Sequence, residues 1–107
     1  MVNGDIIDKI KKSLFVLNTN NIKVYKAFLY GSYARNEATE ESDIDVLIVS
    51  PQFDKQDDRI VGKTWRLVTA IDSRIEPYIV GYDKFISDQD SPLLQMIKKE
   101  GIEVKAG

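Results

Sequence analysis

Asp43 and Asp45 stand at the mouth of the most apolar run of the chain, within the stretch YGSYARNEATEESDIDVLIV from Tyr30 to Val49. A carboxylate beside a buried strand costs free energy unless something pairs with it, and the neighbouring side chains of this stretch are mostly acidic themselves. A cation is what this arrangement lacks. The chain contains no histidine and no cysteine. That removes imidazole and thiolate ligands, thiolate nucleophiles, disulfides and the Ser-His-Asp triad, and leaves carboxylates, hydroxyls and lysines for any chemistry. Clustered carboxylate oxygens suit hard cations, magnesium or manganese, which keep some water ligands and take others from substrate phosphates.

Residues two apart in a strand project from one face, so Asp43 and Asp45 point the same way with alpha carbons roughly 6.5 Å apart. They begin their strand, whereas Gly31 and Ser32 end the strand before it. If the two strands are antiparallel neighbours, the glycine turn and the aspartates meet at one edge of the sheet. The following strand returns after a helix of about a dozen residues, the usual connection for a right-handed parallel crossover, and Glu76 at its start lands on the same edge. A helix N-terminus behind a glycine, with backbone N–H groups facing outward, suits phosphates. Taken singly, each feature has a plain structural reading. Gly31 can be a strand stop and Ser32 a cap, the aspartate pair a solvated edge that discourages aggregation, and Glu76 before Pro77 a turn residue. Their coincidence on one edge points to a site.

The elements that must position these groups are legible from periodicity. Ile6, Ile7, Ile10, Leu14 and Leu17 recur at helical spacing from Asp5 to Leu17, and the NTNN run at 18–21 ends that helix. Ile22 to Tyr30 reads as a buried strand, with Ser32 as an N-cap and a helical turn from Tyr33 to Ala38. Asp43 to Ser50 is a second strand, stopped by Pro51 and followed by a polar loop. Asp57 or Asp58 opens a helix whose stripe is Ile60, Thr64, Leu67, Val68 and Ile71, ending near Ser73. A third strand covers Ile75 to Val80. Ser91 and Pro92 open a last helix, Gly101 stops it, and Ile102 to Val104 form a short terminal strand.

The chain has 107 residues, 43% apolar and 30% charged, which fits one soluble domain over 1–107. No stretch approaches the ~20 apolar residues of a membrane span, and the N-terminal MVNGDIIDKIKK lacks the apolar core of a signal peptide, so a cytoplasmic location is expected. With 17 acids against 15 bases the net charge is −2, which argues against a protein that grips nucleic acid directly through phosphates.

The string Gly31-Ser32-Tyr33-Ala34-Arg35, followed by Ser42-Asp43-Ile44-Asp45, closely resembles the signature of the DNA polymerase beta-like nucleotidyltransferase superfamily. The order of helix, strand, GS turn, DxD strand, helix and acidic strand extends the resemblance over nearly the whole chain. Within the superfamily the chain looks like a minimal nucleotidyltransferase, antitoxin to a HEPN-domain toxin. The fold implied is an α+β core with a small mixed sheet of three or four strands and helices packed against it. By that resemblance Gly31 and Ser32 would hold the nucleotide triphosphate with Arg35 assisting, and Asp43 and Asp45 would bind two divalent metals, magnesium or manganese. Glu76 would be the third carboxylate, ligating one metal and helping to deprotonate the acceptor hydroxyl. Asn36 stands where relatives have glycine, though asparagine best tolerates the same left-handed conformation. Glu76 is one methylene longer than the more usual aspartate. The chain also ends without the helical domain that larger relatives use for small acceptors.

The activity so implied is transfer of AMP from ATP to a hydroxyl, a tyrosine, on a partner HEPN ribonuclease. Two other readings stay open: a binding module that neutralises its partner by occlusion, and half of a two-chain enzyme acting on a small molecule or an RNA end.

Overall fold

Alternation along the second strand sorts the whole chain into two layers. In β2 (Ile44–Ser50) the side chains of Ile44, Val46 and Ile48 enter one buried cluster, and those of Leu47 and Val49 enter another on the opposite face. β2 pairs antiparallel with β1 (Lys26–Tyr30) and parallel with β3 (Ile75–Gly81); β4 (Ile102–Glu103) adds antiparallel to the other side of β1. The result is a mixed four-stranded sheet in the order β3-β2-β1-β4. This computed structural model describes residues 4–55 and 57–106. Positions 1–3, 56 and 107, which the expected 1–107 domain includes, lie outside the described residues.

The first layer is α1 (Gly4–Thr19) and α2 (Asp58–Ile71), which bury Ile6, Ile10, Leu14, Leu17 and Val68 against the sheet. Each helix does so with one stripe, as its sequence periodicity requires. Asp57 caps α2 by accepting a hydrogen bond from the Arg59 amide at 2.9 Å. Thr64 is wholly buried within that stripe, and its hydroxyl donates to the Ile60 carbonyl at 2.8 Å, so no polar atom is stranded. The second layer is α3 (Tyr82–Ser87) and α4 (Pro92–Glu100), which set Phe85, Leu94 and Ile97 against Phe28, Leu47, Val49 and Val80. Ser91 caps α4 and Pro92 fills its first turn, as the sequence indicates. Among the described residues no helix is long and apolar enough to cross a membrane.

Three local readings change. The strand expected from Ile22 begins only at Lys26, because side chains take the amides a ladder would use. Lys23 N–H donates to Gln52 Oε1 at 2.7 Å, and Val24 N–H to Asn18 Oδ1 at 3.0 Å. The helical turn expected from Tyr33 to Ala38 is instead a run of hydrogen-bonded turns through Asn36, closed by Arg35 N–H to Gly31 O at 3.1 Å and Glu37 N–H to Ser32 O at 2.8 Å. Ser32 therefore caps no helix. Finally, the polar stretch after β2 holds a 3-10 turn (Pro51–Lys55) that buries Phe53, and α3 follows β3 directly.

Candidate functional site

Register places the acids. Across the sheet Tyr30 pairs with Asp45, and Asp45 pairs with Glu76. Neighbouring strands lie about 4.8 Å apart, and in-register partners share a face, so Tyr30, Asp45 and Glu76 form one row across three strands. By alternation that row continues the Leu47 and Val49 side of β2, the face covered further along by α3 and α4. Asp43 directly precedes β2 and is exposed, Asp45 is half-buried, and Glu76 is exposed. The three carboxylates expected to converge do share one sheet edge. Among the described residues, however, no group of three or more acidic side chains is closed tightly enough to be a ready metal cage.

The electrostatics follow from that crowding. Burial first, then the charges of Glu76 and Asp43, push the Asp45 carboxyl above the usual carboxylate range, while Arg35 pulls it the other way. Tyr30 is pushed up to about 12, by burial first and then by Asp45, Glu76 and Tyr78. The row and its neighbours thus carry an excess of negative charge, which Arg35 only partly offsets.

Gly31 closes β1 at φ +76, the left-handed region that favours glycine, and a Cβ there would run into the Asp45 carboxylate. The turn is therefore seated directly against the acidic row, which explains why glycine stands at this position. Asn36 ends the turn series at φ 59, as expected of an asparagine replacing glycine. Ser32 is half-buried beside Gly31. Arg35 is exposed at the rim, its Nε 3.6 Å from Glu37 and its charge felt at Asp45.

One contributor escaped the sequence reading. Arg74, two residues before Glu76, forks onto Asp72 through Nε at 3.1 Å and Nη2 at 2.8 Å, and its Nη1 donates to the Tyr33 hydroxyl at 3.1 Å and the Glu40 carbonyl at 3.0 Å. Only the close spacing of Asp72, Arg74 and Glu76 hinted at it.

An α+β fold with a mixed sheet, a left-handed glycine turn and an acidic row at one edge defines a class that the comparisons specify. Residues 7–104 match the family model described as "Nucleotidyltransferase domain", and the chain belongs to that family. It is 31% identical over 102 residues to "Putative protein adenylyltransferase MJ0141" of Methanocaldococcus jannaschii, covering 94% of this chain and 96% of that protein. A second protein of the same organism, "Putative protein adenylyltransferase MJ0128", is 50% identical over 44 residues, 41% of each chain. The crystal structure of a "putative nucleotidyltransferase" from Sulfolobus solfataricus superposes with a TM-score of 0.58, covering 80% of this chain and 76% of that one at 15% identity, which shows a shared fold.

The family generally uses a nucleoside triphosphate and a divalent metal, and the carboxylates of Asp43, Asp45 and Glu76 are chemically the donors a hard divalent ion takes, in an arrangement more open than a closed cage. Three carboxylates offer hard oxygens without a nitrogen or sulfur competitor, and the Asp45 carboxyl, raised by burial first and then by the charges of Glu76 and Asp43, is one whose ionised form a cation would stabilise.

Proposed function

We propose that the chain is a protein adenylyltransferase that moves AMP from ATP to a tyrosine hydroxyl of a partner HEPN ribonuclease and so silences it as an antitoxin. The observation that carries this reading is the in-register row of Asp45 and Glu76, with Asp43 beside it, seated against the Gly31 turn. The names of the relatives support a protein as acceptor.

Asp43, Asp45 and Glu76 would hold two divalent ions, magnesium or manganese. Bound there, such ions neutralise the triphosphate and favour ionisation of the attacking hydroxyl. The turn at Gly31 and Ser32 offers backbone N–H groups and one hydroxyl to the phosphates, and Arg35 adds positive charge at the rim. Glu76 accepts the proton of the acceptor hydroxyl. The acceptor oxygen forms a bond to the alpha-phosphorus, the bond from that phosphorus to the bridging oxygen breaks, and pyrophosphate leaves.

A second reading, neutralisation by occlusion, draws on the open arrangement of the three carboxylates. Co-purified partner incubated with ATP and magnesium, then weighed intact, separates the two. Transfer predicts a gain of AMP on the partner that disappears in the double variant Asp43→Asn, Asp45→Asn. An unchanged partner mass, in a complex that nonetheless forms and is inactive as a nuclease, supports occlusion.

A further inference from the structure

The turn that carries Gly31 and Ser32 runs on into a loop that reaches Asp43, and part of this loop has little beneath it. Between the loop and the N-terminal end of α1 lies an open cavity of about 460 Å³, lined among others by Ile6, Tyr33, Asn36, Thr39 and Arg74. Side-chain packing holds the start of the loop, where Tyr33 and Ala34 rest on the core. Beyond Asn36 hydrogen bonds must hold it.

Those bonds form one connected path. Asp72, only 10% exposed at its side chain, receives the Arg74 fork on both carboxylate oxygens and Lys9 Nζ at 2.9 Å on Oδ2 as well. Arg74 then donates to both ends of the loop, to the Tyr33 hydroxyl and the Glu40 carbonyl. The Tyr33 hydroxyl donates onward to Thr39 O at 3.1 Å, and the Thr39 amide donates to Ser42 Oγ at 2.9 Å, next to Asp43. The Arg74 carbonyl meanwhile accepts from the amide of Ile44, between the two aspartates, at 2.8 Å. One residue is thus tied to the loop that follows the turn, to the backbone between the aspartates, and, two positions on, to Glu76.

We infer that Arg74 is a positioning residue for the proposed transfer: braced by Asp72, its guanidinium latches Tyr33 and Glu40 and so holds the Gly31–Ser32 turn in place to receive the triphosphate. Lysine cannot replace it, because a point charge lacks the planar fork that serves Asp72 and the loop together. Arg74 touches none of the reacting groups. Its effect is to order beforehand a turn that would otherwise be ordered when the triphosphate binds.

The inference rests on the adenylyltransferase reading, and its test separates the two. Arg74→Lys and Tyr33→Phe are made in the full chain. Amide hydrogen exchange at Arg35 and Glu37, whose N–H groups close the turn, is expected to quicken by about tenfold in both. Affinity for ATP with magnesium, by calorimetry, is expected to weaken about tenfold, with KM for ATP rising in step and kcat within about threefold. A merely structural loss would lower the active fraction and leave KM alone. Parent-like exchange, or faster exchange with parent-like KM and affinity, overturns the inference while leaving the adenylyltransferase reading intact. A parent chain that binds no ATP overturns that reading, and the role of Arg74 in transfer falls with it.

Discussion

Asp45 is placed against its own stability. Half-buried and flanked by Glu76 and Asp43, its carboxyl is pushed above the ordinary range, so the folded protein binds that proton more tightly than the unfolded chain does. With a raised folded pKa in an acid, stability falls as pH rises through that value, and the charged form at neutral pH is the penalised one. Asp45→Asn removes the charge while keeping the shape. In the metal-free protein it is expected to raise Tm by about 2–5 °C in thermal unfolding at pH 7, while abolishing transfer. A residue held only for the fold would show the reverse. The face of Asp45 was legible in the sequence because alternation along β2 puts it on the side of Leu47 and Val49, whereas Asp43, expected to open the strand, directly precedes it, so alternation does not fix its direction. The contact of Gly31 with Asp45 was not, since it depends on the backbone turning at φ +76 toward a strand that follows it.

At the scale of elements, register carries the site. β1, β2 and β3 could be read from β-branched runs and their stops, and the parity of β2 against β3 follows once Glu76 is put on the same edge. Interactions between residues far apart in sequence were not legible. Gln52 takes the Lys23 amide from 29 residues away and thereby shortens β1, and Arg74 reaches Tyr33 and Glu40 across 41 and 34 residues. α3 escaped because it is six residues long and its N-cap, Gly81, makes no side-chain cap bond. The junction of α1, α2 and β3 also makes a stability claim. Arg74 above all, with Lys9, holds the Asp72 carboxyl far below the usual range. For an acid with a depressed folded pKa, the stabilisation is full above the unfolded value of about 3.9 and fades as pH falls below it. Asp72→Asn is expected to cost about 2–3 kcal/mol in urea unfolding at pH 7, with the gap from the parent narrowing steadily between about pH 4 and pH 2. A gap that does not change with pH would remove the ion pairs from the account.

Across the whole molecule, the two layers divide the work. α1 and α2 seal one face of the sheet and, through Lys9 and Asp72, brace the edge from behind. The other face is covered by α3 and α4 around Leu47 and Val49, and the row of Asp45 and Glu76 lies beyond that cover with side chains half-buried or exposed. Under the proposed reading, a hydroxyl on a second protein surface would approach the acids across this open edge. Nucleotidyl transfer at this edge leaves a signature in the position of a label carried by ATP. The co-purified partner is incubated with magnesium and ATP labelled at the alpha-phosphate or, separately, at the gamma-phosphate. Label is expected on the partner from alpha-labelled ATP alone and is expected to be lost in Asp45→Asn; label from gamma-labelled ATP, or from neither, rules out nucleotidyl transfer at this edge.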